Sequence, residues 1–348
     1  MASESRVRPS SLPRVSAGAR EAMAARLARV SPADRWLART FLRAMGNPAI
    51  QISLWNGEGV RAAAAPPLAA VHVADRRTLL RLIYQPDLEF GEAYSDGRLR
   101  VDGDLVDLLE TVYRAPPKPW ADRLLRRAPR PHSNTLSGSR HNIQRHYDLG
   151  NDFYRLWLDE RMVYTCAYFP TPTASLEDAQ LAKMEHVCRK VGVWPGARVV
   201  EAGCGWGALA LHMARQHGVF VRAFNISMEQ LAYARARAQQ EELGDRVEFI
   251  DDDYRNVSGQ YDPFVSVGML EHVGLDHYRE LGRVIDRCLS QHGRGFIHTI
   301  GRNQPSAFNA WTEKYIFPGA YPPTMREIME VIEPYNFSLL DVENLRLH

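Results

Sequence analysis

The sequence is short of the features that mark a protein for export, metal binding or membrane insertion. It has only four cysteines in 348 residues. Cys166, Cys188, Cys204 and Cys288 form no C-x-x-C pair and no His–Cys cluster at metal-ligand spacing. A disulfide framework is therefore excluded, no metal is expected, and a reduced cytosol is the economical compartment. Met1 to Ser10 lacks the apolar stretch of a secretory signal. No run of about 18 apolar residues could cross a bilayer, so any action on lipid must come from its surface. Net charge is also scarce, at +2, with 45% hydrophobic and 24% charged residues. That balance is ordinary for a soluble globular chain, and the length allows two domains. The charge is unevenly spread, however. Residues 1–43 are rich in arginine against only Glu4, Glu21 and Asp34, and residues 114–145 set their Lys and Arg against Asp122 alone. Such blocks suit an anionic surface, membrane or nucleic acid, and equally a solvated tail and linker.

What is present is organised around Val199-Val200-Glu201-Ala202-Gly203-Cys204-Gly205-Trp206-Gly207. The apolar run from Arg198 to Ala202 reads as a buried parallel strand, and Ala208 to Ala214 opens with helical periodicity. Strand, glycine turn and helix bring backbone close to a nucleotide-like ligand at the carboxyl edge of an open sheet. A dinucleotide fingerprint is G-x-G-x-x-G and faces a pyrophosphate. Here the third glycine comes one residue early and an acid, Glu201, precedes the first. That suits a ligand without phosphate but with a cationic end and an amino-acid tail. The pattern resembles motif I of S-adenosylmethionine-dependent methyltransferases.

Along the chain, residues 1–45 read as a basic, partly disordered segment that ends in an amphipathic helix. Ser31-Pro32-Ala33-Asp34 is its start signal, and Trp36, Leu37, Phe41, Leu42 and Met45 form its stripe. The stripe fits either a membrane surface or the next domain's core. Residues 46–115 read as a small α+β unit, with a strand over 50–55, a turn at Asn56-Gly57, a second strand at Val71–Val73, and helices over 78–84 and up to Tyr113. Residues 116–140 are a proline- and arginine-rich linker. From 141 onward strands alternate with helices: strands over 198–202, 220–225, 246–251, 262–268 and 295–300, and helices opened by Ser175 and Ser227. The expected class is α/β, a doubly wound Rossmann-like parallel sheet with helices on both faces, preceded by the small α+β domain.

Five segments carry a sharper resemblance: Arg145 to Tyr154, Tyr164 to Phe169, Leu270-Glu271-His272-Val273-Gly274, His298-Thr299-Ile300-Gly301 and Tyr315-Ile316-Phe317-Pro318-Gly319. In this order they resemble the cyclopropane-fatty-acyl-phospholipid synthases and mycolic acid cyclopropane synthases, over about residues 141–348. Gly91 to Leu105 is similar to the N-terminal domain of members that act on phospholipid. The resemblance implies methyl transfer from S-adenosylmethionine to a cis double bond in a phospholipid acyl chain, with loss of a proton and closure of a cyclopropane ring. It also implies a bound bicarbonate as the base, held by Cys166, Glu271, His298 and the backbone at Ile300. The residue types suit the chemistry. A weakly nucleophilic alkene needs positioning. A carbocation needs aromatic faces rather than lone pairs, and Tyr164, Tyr168, Tyr315 and Phe317 are the candidates. A carboxylate beside bicarbonate can accept its O–H and orient the free oxygen as base. The positions matching the family's cofactor site are Tyr147, Tyr164, Thr165, Glu201, Gly203, Cys204, Gly205, Gly207, Asn225, Ser227, Gln230, Asp253, Tyr254 and Arg255. Asn225 stands where methyltransferases in general place an acid.

The implied setting is cytoplasmic, peripheral on the inner face of the membrane, with an anionic membrane surface and no nucleic acid as partner. Two other readings share these motifs: a different lipid or amine methylation, and a non-catalytic lipid-binding protein. Residues 337–345 are expected to form a sixth strand. The sequence stops just before the family's His-Tyr-x-x-Thr-Leu motif, whose tyrosine helps to hold the bicarbonate. The sixth strand would then lack its antiparallel partner, leaving a poorly active, marginally stable chain unless a second copy completes the sheet as a homodimer.

Overall fold

The computed structural model describes residues 29–116 and 150–348, which fall into two compact units divided at Arg127 and Ala128. Tyr147, the 116–140 linker beyond Pro116 and most of both basic blocks lie outside the described residues.

In the first unit α1 (Pro32–Ala44) starts as its sequence predicts. The Ser31 side chain accepts from the Asp34 amide, and Asp34 accepts from the Ser31 amide in return. A four-stranded sheet follows in the order β2-β1-β3-β4, with β1 Ile50–Ser53, β2 Gly59–Arg61, β3 Ala69–Val73 and β4 Leu99–Asp102. Helices α2 (Arg76–Tyr84), α3 (Pro86–Ser95) and α4 (Leu105–Arg114) complete it. Ala38, Phe41 and Leu42 of α1 are buried in one core with Ile52, Val71, Leu79, Leu99 and Leu108. Of the two readings of the α1 stripe, core packing is therefore the one adopted, although Trp36 stays 63% exposed.

Asp34 is buried and receives two bonds from Arg76, at 2.7 and 2.6 Å. The Arg76 hydrogen bonds pull its pKa down from 3.8 to about 2. A depressed folded-state pKa stabilises above the unfolded value, so this contribution is complete above pH 3.8 and is lost as pH falls through about 2. Its size is about 2 kcal/mol. Arg76→Ala should cost that much or more in urea denaturation at pH 7, with the deficit shrinking in acid. An undiminished deficit below pH 2 would refute the ion-pair account.

The second unit holds a five-stranded sheet in the order β7-β6-β5-β8-β9, parallel throughout. Its strands are β5 Arg198–Ala202, β6 Phe220–Asn225, β7 Val247–Asp251, β8 Tyr261–Val267 and β9 Leu289–His298. The helices are α5 (Asn151–Arg155), α6 (Leu176–Val191), α7 (Ala208–His217), α8 (Met228–Gln240), α9 (Leu270–Val273), α10 (Tyr278–Cys288), α11 (Ala310–Tyr315) and α12 (Met325–Ile332). Successive strand residues enter opposite cores. Val199 and Val265 pack with α6, α7 and α8, while Val200 and Phe264 pack with α10. A sheet covered on both faces explains why apolar residues on β5 and β8 point into both cores rather than alternating with polar ones. The order reverses between β5 and β8, which opens a crevice at their carboxyl ends.

Most strand boundaries fall within one or two residues of the sequence reading, but two features depart further. β9 begins at Leu289 rather than 295, through the polar stretch Ser290 to Arg294 that gives no apolar signal. Residues 337–345 form no strand. Asp341 and Glu343 ion-pair with Lys190, and Glu343 with His186, so the segment is tied to α6, with Leu340 and Val342 exposed. Its acids find partners on a helix face rather than along a sheet edge.

Candidate active site

Three positive-φ glycines, Gly203, Gly205 and Gly207, turn the chain from β5 into α7. At Gly207 a Cβ would meet the Phe249 ring at 2.6 Å, so only glycine lets the turn lie this close to the core. The amides of Gly203 and Cys204 both donate to the Phe224 carbonyl, at 3.0 and 3.1 Å. Asn225, at the end of β6, ties the neighbouring loops together. Its Nδ2 donates to the Gly205 carbonyl (3.1 Å) and to Gln230 Oε1 (2.8 Å), while its Oδ1 accepts from the amides of Ile226 and Ser227. Ser227 caps α8 by accepting from the Gln230 amide.

Two buried polar atoms on this edge have no partner, Glu201 Oε2 and Gln230 Nε2. An unmet acceptor and an unmet donor facing a glycine turn fit a ligand that brings ammonium and hydroxyl groups, as S-adenosylmethionine would. Asp253 and Arg255 are instead engaged with each other at 3.4 Å, and Asp253 also accepts from the Arg255 amide. Tyr254 lies buried between them in sequence, with the Arg255 guanidinium over its ring at 5.1 Å.

Beside this edge is a cavity of about 440 Å³, lined by Tyr164, Thr165, Cys166, Glu271, His298, Ile300, Phe308 and Phe317 among others. Phe317 stacks on Tyr164 at 6.2 Å and meets His272 edge-on at 5.6 Å. Glu271, on α9 just after β8, is 4% exposed. Its Oε1 accepts from the Ile300 amide at 2.5 Å, while its buried Oε2 has no partner. Burial raises the carboxyl pKa, and the Ile300 bond partly offsets the rise. His298 ends β9, with Nδ1 buried and unpartnered. Burial, and then the charge of Lys183, pushes its pKa down to about 4, so the ring is neutral at physiological pH. An unpaired carboxylate oxygen and an unpaired imidazole nitrogen on one cavity wall fit a small O–H-bearing anion such as bicarbonate.

Residues 135–348 match the mycolic acid cyclopropane synthetase family. The chain belongs to that family. It is an S-adenosylmethionine-dependent methyltransferase of the cyclopropane synthase type. It is 38% identical over 281 residues to the cyclopropane-fatty-acyl-phospholipid synthase of Escherichia coli K12, covering 77% of this chain and 70% of that one. To a probable fatty acid methyltransferase of Pseudomonas putida it is 32% identical over 307 residues, covering 86% and 77%. A solved cyclopropane synthase of Mycobacterium tuberculosis superposes with a TM-score of 0.57 at 28% identity, over 60% of this chain and 78% of that one. A mycolic acid cyclopropane synthase solved with SAH and CTAB gives 0.56 at 29%, over the same shares. Residues 37–118 match a domain family of unknown function.

Within this synthase-family unit the cavity brings together Tyr164, Thr165, Cys166, Glu271, His298, Ile300 and Phe317. It does not include two of the expected aromatics. Tyr315, at the last residue of α11, is 49% exposed and packs on Trp311, outside the cavity lining. Tyr168 is stacked between His186 and His348. Phe308 and Trp157 line the wall instead.

The sequence reading also missed a buried support. On α6, Gln180 Nε2 donates to the carbonyls of Val163 and Thr165, and Lys183 Nζ donates to Thr165 Oγ1 at 2.6 Å. Lys183 is 4% exposed; burial pushes its pKa down to about 8 and that of Glu201 up to about 8, and the charge of each partly offsets the shift of the other. The available signal was that Gln180 and Lys183 interrupt the apolar stripe of Ala179, Met184 and Val187. Lys183→Met keeps the aliphatic stem but removes the charge. It should weaken S-adenosylmethionine binding about tenfold, the size of one charged hydrogen bond. Unchanged affinity by calorimetry, with the variant folded, would dismiss this role.

Proposed function

We propose that this chain methylates the cis double bond of unsaturated phospholipid acyl chains at a membrane surface and closes a cyclopropane ring there. The observation that carries the reading is the pairing, in one aromatic-walled cavity, of a Glu271 carboxylate oxygen and a His298 imidazole nitrogen, both buried and without a hydrogen-bond partner. Bound S-adenosylmethionine supplies an electrophilic methyl group, and bound bicarbonate supplies a base. Glu201 and Gln230 would hold the cofactor's ammonium and hydroxyl groups. Tyr164 and Phe317 present ring faces, which stabilise a neighbouring cation without offering it a nucleophile. Glu271 Oε2 accepts the O–H of the anion and fixes which of its oxygens stays free, while the Ile300 amide holds Oε1 in place. His298 Nδ1, when it carries the ring proton, donates to the same anion. No helix among the described residues is long and apolar enough to cross a membrane, and the basic blocks suit electrostatic attachment.

The test is to incubate the protein with S-adenosylmethionine and vesicles of unsaturated phospholipid, then analyse the fatty acid methyl esters by gas chromatography–mass spectrometry. Chains that gain one CH2 with loss of the alkene and no branching are expected, formed faster on anionic than on neutral vesicles. A methyl-branched or methoxylated product would replace this reading with another lipid methylation. Unaltered chains despite cofactor binding would leave lipid binding without turnover.

A further inference from the structure

Two helices of the second unit bring together a second constellation, none of whose residues lines the cavity. α6 contributes Glu185 and Cys188, one turn apart, and α7 contributes His212 and its last residue His217. Nε2 of His212 and Nε2 of His217 lie 3.4 and 3.0 Å from the same Glu185 oxygen. One donor atom from each of the four residues lies within 4.8 Å of all the others. Cys188 and His212 are buried, while Glu185 and His217 are half-buried. The cluster therefore has an anchored floor and a mouth through which an ion can enter.

We propose that Glu185, Cys188, His212 and His217 form a structural zinc site. Two imidazoles, a thiolate and a carboxylate are the borderline-soft donors that favour zinc over magnesium or calcium, which need mostly oxygen ligands. Tetrahedral zinc with bonds of about 2.0–2.3 Å spaces its donors about 3.3–3.8 Å apart. Of the two His–Glu separations, 3.4 Å already falls in that range and 3.0 Å lies just short of it, while the widest separation, 4.8 Å, must close by about 1 Å. Thiolate and carboxylate together balance a dication, and binding releases the thiol proton to solvent. The ion pair from Arg189 to Glu185 is long, at 4.0 Å, and exposed, so it yields readily. With all four positions filled by protein, the ion has no open place for a substrate and acts as a clamp. It joins the helix that carries Gln180 and Lys183 to the helix that leaves the glycine turn. The sequence reading expected no metal because the four residues lie on two helices with a strand between them.

The test is cobalt(II) titration of the full chain followed by displacement with zinc. One equivalent of cobalt should give a thiolate-to-metal charge-transfer band and the intense visible bands of tetrahedral geometry. One equivalent of zinc should abolish both and raise the melting temperature, and a chelator should reverse that rise. Cys188→Ala should lose the charge-transfer band, and His217→Gln should lose the tetrahedral spectrum while keeping the circular dichroism of the metal-free protein. Wild-type protein that takes up no cobalt would overturn the site. So would a spectrum that survives both substitutions, since the bound metal would then belong to other side chains.

Discussion

Glu271→Gln is expected to bind S-adenosylmethionine as well as the parent chain does and to turn over about 10²- to 10⁴-fold more slowly, the range lost with a positioned acid–base group. The amide is nearly isosteric, so its oxygen can still accept from the Ile300 amide. What changes is the other end. The unpartnered Oε2, an acceptor inside the cavity, becomes an NH2 donor and repels the O–H it is proposed to receive. The pH profile adds a second readout. Burial raises the Glu271 pKa, so the ionised form is present only above that raised value. Parent activity should therefore fall on the acid side at a higher pH than an ordinary glutamate would impose, and the variant should lack that limb. Calorimetry showing lost cofactor affinity would move Glu271 out of the chemistry and into cofactor binding.

The second large effect is expected at the glycine turn. Gly207 has φ +82°, and an added Cβ would lie 2.6 and 2.7 Å from carbons of the Phe249 ring and 2.9 Å from the Ala234 Cβ. Both neighbours belong to the main core of the unit, so neither can retreat without opening a void elsewhere. Backbone strain costs about 1–3 kcal/mol and overpacking about as much again. Their sum is a large share of the 5–15 kcal/mol or so that holds a domain folded. Gly207→Ala should thus lower the urea midpoint sharply and abolish measurable cofactor binding. Gly196 supplies the control, with φ +86° and nothing within 4 Å of its notional Cβ. Gly196→Ala carries the strain without the clash, and equal losses at the two positions would show that crowding by Phe249 contributes nothing.

The glycine turn was the most legible part of the sequence. β5 has the boundaries read for it, because a short stretch with an apolar Val199-Val200 centre, ended by glycines, admits few alternatives. The caps at Ser31, Ser175 and Ser227 were equally plain, since each acts on the amide three residues on. In the small unit β2, β4 and α3 went unread. Their short runs reach stability only through neighbours that the sequence does not name. The same limit applies in the cavity. Phe317 and Tyr315 lie two residues apart, and only the way α11 ends decides that one ring faces Tyr164 and the other faces Trp311. The partners of Lys183 and the Glu185–Cys188–His212–His217 cluster were invisible for a related reason. Periodicity reports which face of a helix is buried, not which other helix that face meets.

The four hydrogen bonds of the Asn225 side chain have a kinetic meaning. They hold the glycine turn, the end of β6 and the first turn of α8 in register with the ligand absent. A cofactor arriving at this edge need not order the loops it touches, so little conformational entropy is lost on binding. Association should then follow a single phase that is first order in cofactor with no plateau at high concentration, and affinity differences among variants of this edge should lie in the dissociation rate. Asn225→Ala would unlock three segments at once. Its signature would be a slower, saturating association phase, the mark of a loop that must close after the ligand has already landed.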